Sequence, residues 1–216
     1  MSTTMTQIRE DLWQTRTESP LPGLTTHAYL WHGPSGNILF YSPASDADFE
    51  AIEELGAVSA QYLSHLDEAG PMLARITDRF GSQLHAPAAE LDAIGRHAHV
   101  DVPLEARRYV DANGVDVIPT PGHSDGSTCY LVTGVDGEKY LFTGDTMFPT
   151  GEGTWSTFLV PGRGSAAELR SSLGLLRTVQ PDVVISSAFD GDTAIETLGT
   201  GRWQECIDQA LASVPS

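Results

Sequence analysis

Residues 120–128 read TPGHSDGST. Pro121 and Gly122 form a tight turn that leaves His123 at the end of the apolar stretch VDVIPTP, residues 115–121, which reads as a strand. Gly126 and Ser127 make a second turn before TCYLVTG, residues 128–134. A lone loop histidine is usually just a surface residue. A histidine pinned between two turns at a strand end is placed for chemistry, because a rigid strand fixes the loop that follows it.

Working outward, TCYLVTG and EKYLFTG form a hairpin over Val135, Asp136 and Gly137, and the second strand runs into Asp145. Ser165 and Glu168 form a capping box before a helix over ELRSSLGLLRTV. DVVISS is one more apolar strand, ending at AFDGD, and RWQECIDQALAS is a closing helix. Toward the N-terminus, TTHAYLW and NILFYS pair across the turn GPSG. SDADFEAIEELG is a helix capped by Ser45 and ended by Gly56. VSAQYLS is a buried strand leading into HLDEAG, AGPMLARITDRFG a helix closed by Gly81, and SQLHAP a short strand. No repeat or linker divides the 216 residues, so one α/β domain over 1–216 is expected, with two sheets face to face between helical layers.

The chain carries 29 acidic and 12 basic residues, a net charge of −17, and no basic cluster, which argues against a nucleic-acid partner. No apolar run approaches the roughly 20 residues of a membrane span, and MSTTMTQIREDLW lacks a signal-peptide core. A cytoplasmic protein without a membrane partner is expected. Cys129 and Cys206 make no metal or redox pair and read as buried thiols.

Polar groups recur at strand ends: His65 and Asp67, His123 and Asp125, Asp145, and Asp190 and Asp192. Imidazole with carboxylate suits zinc, iron or manganese. His65 and Asp67, two apart in a loop, can converge on one point, and Asp145 is a natural bridging acid. His97 and His99 read as an exposed pair, His27 as packing, and Asp190 and Asp192 as turn residues. The Gly-rich stretch 151–164 carries Trp155 and Phe158 and follows Asp145, where it can border a site mouth.

The order His-x-Asp, then TPGHSDGS, then FTGD, then a helix and an apolar strand resembles the metallo-β-lactamase-fold superfamily, over about residues 21–190. The resemblance implies a four-layer αββα sandwich with a one- or two-metal site between the sheets. Members include β-lactamases, hydroxyacylglutathione hydrolase, lactonases, phosphodiesterases, an iron persulfide dioxygenase and flavodiiron proteins. It also shows departures. The family's His-x-His-x-Asp-His corresponds to Leu63, Ser64, His65, Leu66, Asp67 and Glu68, and its last histidine to Ser187 or Ala188. His65, Asp67, His123 and Asp145 remain as metal ligands, with Glu68 as a replacement oxygen donor.

That set implies one divalent metal, zinc or iron, and a hydrolase of a small ester, thioester or lactone-like substrate acting through metal-bound hydroxide, with Asp67 as catalytic base. Two alternatives stand beside it: a fold relative that lost catalysis and binds a ligand, and a mononuclear iron thiol or persulfide oxidoreductase. The expected partner is a small-molecule substrate.

Overall fold

A computed structural model of the chain describes residues 5–160 and 162–215. The first sheet has seven strands, in the order Thr6–Arg9, Leu12–Gln14, Tyr29–Gly33, Gly36–Phe40, Ala60–Tyr62, Gln83–Pro87 and Val102–Leu104. Its first four strands are antiparallel, and the rest join in parallel. The second sheet has six: Tyr109–Val110, Asp116–Pro119, Thr128–Thr133, Lys139–Gly144, Val183–Ser186 and Ile195–Thr197.

Alternation of side chains explains the layers. Inward residues of both sheets meet in one core, where Phe40 stacks on Phe142 with ring centroids 4.0 Å apart, beside Tyr62, Tyr130 and Ile185. On the outer face of the second sheet, Ile118, Leu141 and Val184 pack against Leu169 and Leu173 of helix Ala166–Leu176 and Trp203 and Ile207 of helix Arg202–Ser213. Leu63, Leu84 and Ala86 cover the first sheet's outer side with Leu73 of helix Met72–Phe80 and Ile94 of helix Leu91–Ile94. Together with helix Phe49–Glu54 these make the αββα sandwich.

Parallel neighbours need a crossover, and helices supply it. Met72–Phe80 links Ala60–Tyr62 to Gln83–Pro87, and Ala166–Leu176 links Lys139–Gly144 to Val183–Ser186. The loops that open these crossovers leave the carboxyl ends of the strands, and they carry His65 and Asp145.

Two details differ from the sequence reading. The helix after NILFYS starts at Phe49, with Asp48 at its N-cap position. Ser45 instead donates to Glu18, and the Asp48 carboxylate accepts from Arg16. The N-terminal hairpin, Thr6–Arg9 with Leu12–Gln14, has strands too short and too polar to show a period. Buried Asp11 anchors it, accepting from Trp31 Nε1 at 3.1 Å and from Tyr140 OH at 2.9 Å. Among the described residues no helix is long and apolar enough to cross a membrane.

His85 lies buried against Tyr62, ring centroids 4.2 Å apart, and neither ring nitrogen has a hydrogen-bond partner. Burial lowers its pKa to about 4. The unfolded chain therefore binds a proton at a higher pH than the folded one. Stability is full above about pH 6.5 and falls as pH drops toward 4, by on the order of 3 kcal/mol for a shift of this size. Urea midpoints at pH 7 and pH 5 should show about 2 kcal/mol of that loss, and His85→Phe should remove most of it. Equal pH dependence in both proteins would contradict the assignment.

Candidate metal centre

Two loops build the site, and a carboxylate joins them. His65 follows the strand Ala60–Tyr62 in extended conformation and caps a one-turn 3-10 helix, Leu66–Glu68. The buried Glu90 side chain accepts from Leu66 N at 2.8 Å and from Gly126 N at 3.1 Å, so one residue ties the His65 loop to the His123 loop. Thr128 N adds a bond to Ser64 O at 2.9 Å. A Cβ on Gly126 would lie 2.6 Å from the Glu90 side chain, which requires glycine there. Asp145 arrives from the end of Lys139–Gly144, and Ser187 from just past Val183–Ser186.

These elements bring His65 Nε2 within 3.5 Å of Asp145 Oδ2 and His123 Nε2 within 4.0 Å of the same oxygen. Ligand atoms of His65, His123 and Asp145 all lie within 4.8 Å of one another. Both Nε2 atoms are buried without a hydrogen-bond partner. A buried unpaired imidazole nitrogen is costly, and two that face one carboxylate mark a place for a shared cation. Four donors about 2.1 Å from a tetrahedral ion sit about 3.4 Å apart, so these residues fit such an ion after small closure.

Further bonds set the ring orientations. His123 Nδ1 lies 2.9 Å from Phe158 O, a carbonyl that only accepts, so Nδ1 is a donor and Nε2 is the nitrogen turned toward the carboxylates. His65 Nδ1 is 2.9 Å from Ser64 Oγ and 3.3 Å from Glu68 Oε1. Ser187 Oγ donates to Asp145 Oδ1. Burial pushes the Asp145 carboxyl up, but the His65 and His123 imidazoles and the Ser187 hydroxyl outweigh it and hold the pKa at about 2. Burial lowers His65, yet Asp145 and Glu68 bring it well above the ordinary imidazole value.

The other expected donors are placed differently. Asp67 Oδ2 is 4.0 Å from His65 Nε2 and 3.7 Å from His123 Nε2, but its carboxylate is also gripped by Arg163, at 2.8 and 3.2 Å. His123, and then Arg163, keep its pKa well below the carboxylate range. Glu68 does not join the Nε2 cluster. The 3-10 turn carries it to the Nδ1 side of His65, where it accepts from Ser64 N at 3.0 Å and from Ser64 Oγ. Leu63 points into the apolar cluster with Leu73, Leu84 and Ile94.

His97 and His99 are exposed, and Asp190 and Asp192 are exposed in the loop between Ala188–Phe189 and Ile195–Thr197. Cys129 and Cys206 are buried. In the stretch after Asp145, Trp155 is buried and hydrogen-bonded to Glu196, while Phe158 is 55% exposed beside His123. His27 is buried, its Nδ1 2.8 Å from Thr15 O and its ring stacked on Phe189. A pocket of ≈ 280 Å³ opens over the centre, with His65 and Asp145 on its floor and Leu24, Pro43, Pro71 and Met72 on its apolar side. His27 belongs to its wall.

Residues 47–188 match the model of the Metallo-beta-lactamase superfamily, well over half the chain. Over 170 residues the chain is 29% identical to the hydroxyacylglutathione hydrolase of Albidiferax ferrireducens, 76% of this chain and 61% of that protein. Over 125 residues it is 30% identical to the "Probable polyketide biosynthesis zinc-dependent hydrolase" of Bacillus velezensis, 57% of this chain and 48% of that one. The chain spans about half the length of the curated relatives it matches. The metallo-beta-lactamase from Pontibacter korlensis superposes with a TM-score of 0.71 over 97% of both chains at 15% identity, which speaks for the fold alone. By the reach of the family match and by this architecture, the chain belongs to the metallo-β-lactamase superfamily.

Proposed function

We propose that this chain is a metal-dependent hydrolase of a small ester, thioester or lactone-like substrate. One observation carries the reading: two buried imidazole nitrogens without partners face a single carboxylate oxygen. His65, His123 and Asp145 would hold one divalent ion, which supplies Lewis acidity and lowers the pKa of water from 15.7 to about 7. Asp67 stays ionised beside both Nε2 atoms, so its Oδ2 orients the attacking water by accepting a hydrogen bond. The apolar side of the pocket takes the acyl part and keeps bulk water out. Zinc fits the donor set, and the zinc-dependent relative from Bacillus velezensis supports it.

Two imidazoles with one carboxylate also match mononuclear iron sites, and this carries the second reading, an iron oxidoreductase acting on thiols or persulfides. Elemental analysis of protein purified without chelator separates the two. One zinc per chain and chelator-sensitive hydrolysis of small esters or thioesters are expected. Iron in place of zinc, with oxygen uptake on a thiol substrate, would favour the second reading. Less than about a tenth of a metal per chain removes both. Because Asp145 and Glu68 bias His65 toward its protonated form, zinc binding at pH 7 should release protons, read as buffer-dependent calorimetric heat.

A further inference from the structure

We propose that Arg163 supplies the second positive charge of this centre, and that by holding Asp67 it limits the site to one divalent ion. The inference rests on the metal reading above. Its first support is geometry. Nη1 and Nη2 of Arg163 meet Oδ1 and Oδ2 of Asp67 at 2.8 and 3.2 Å, the two-pronged fit of a planar guanidinium to a carboxylate. The Asp67 oxygen that faces the two imidazoles is one of the pair so held.

The second support is how Arg163 is delivered. Arg163 N and Gly164 N both donate to Val160 O, at 3.1 and 2.9 Å, and Ser165 N donates to Gly122 O at 2.8 Å. A Cβ on Gly164 would lie 3.0 Å from Gly122 O, so the turn sits tightly on the loop that presents His123. Arg163 is therefore placed by the same backbone that places a ligand.

The third support is charge. Among the described residues, Arg163 is the only lysine or arginine paired with Asp67, Glu68 or Asp145. The Asp67 and Arg163 side chains are 35% and 43% exposed, and a pair so exposed contributes little to folding. Its effect falls instead on the centre it borders. With Arg163 present, the carboxylate next to the imidazoles is neutralised and offers no net charge to a second ion. With Arg163 gone, a free carboxylate faces the site beside Asp145.

The experiment is zinc titration of the chelator-stripped full chain by calorimetry, with elemental analysis of the product. The wild type should take one zinc. Arg163→Gln should either take a second zinc or bind the first at least tenfold more tightly. Asp67→Asn should weaken binding, because Arg163 is left uncompensated, and the double variant should return to within about threefold of wild type, the signature of a coupled pair. Arg163→Lys keeps the charge and should keep one zinc.

A single zinc of unchanged affinity in Arg163→Gln overturns the inference and leaves the metal reading standing. So does a second zinc in the wild type or in Arg163→Lys. A wild type that binds no zinc defeats the metal reading itself, and this inference with it.

Discussion

His123→Ala should leave the protein folded and empty the centre. In the proposed centre His123 is one of three donors, and the remaining pair, His65 and Asp145, should not hold a divalent ion at micromolar concentration against water. Removing only an outer partner of a ligand typically costs roughly 10–100-fold in metal affinity or activity, so loss of a ligand should exceed that, with hydrolysis down by more than about 10²-fold. Ser187→Ala supplies the comparison. It removes one hydroxyl that donates to Asp145 Oδ1 and should fall within the outer-partner range. The fold should tolerate His123→Ala, because Nε2 has no partner to lose and Nδ1 gives up a single bond, to the carbonyl of the exposed Phe158. Metal content by elemental analysis, ester turnover and circular dichroism together check this. Full metal retention, or turnover within threefold of wild type, would sink the assignment of His123.

The reason His123 was legible in the sequence is local. Pro121 and Gly122 stop a strand, and whatever follows is presented at its end. The same holds for His65 after Ala60–Tyr62 and for Asp145 after Lys139–Gly144. The helix Arg202–Ser213 was equally plain, because Trp203, Cys206, Ile207 and Ala210 recur at helical spacing. What was not legible depends on direction or distance. Glu68 stands one residue from Asp67, yet the 3-10 turn sends the two side chains to opposite edges of the His65 ring. Arg163 lies 96 residues from Asp67 in sequence, in a Gly-rich stretch with no period, and nothing local announces their pairing. Glu90 carries no local mark in the sequence, yet its two oxygens join the loops that carry His65 and His123. Ser45 was a reasonable cap by residue type, but Glu18, 27 positions away, claims its hydroxyl. Spacing shows which residues end strands; long-range pairing decides what those residues face.

That local logic puts unusual weight on Gly122, the residue just before His123, and Gly122→Ala should be among the most damaging single changes in the chain. Its φ of +141° lies where side chains are rarely accommodated. A Cβ there would lie 2.4 Å from both N and Cα of Leu169, so the obstacle is the backbone of helix Ala166–Leu176 and not a movable side chain. Strained backbone and forced overpacking each cost about 1–3 kcal/mol, so their sum for this residue is about 2–6 kcal/mol. For a chain of this length that lowers the melting temperature by on the order of 10 °C. The damage should also reach the centre, because Gly122 O accepts from Ser165 N, the N-cap of that helix, and any retreat of the helix pulls the loop bearing His123. Gly174→Ala is the matched control in the same helix. Nothing lies within 4 Å of its added Cβ, and alanine is the better helix former, so this change should stabilise by about 0.5–1 kcal/mol. Thermal melts of the two variants beside wild type test the contrast. A Gly122→Ala protein that melts within 2 °C of wild type, roughly 1 kcal/mol or less at this size, would mean that the helix can yield and that His123 is not held by this contact.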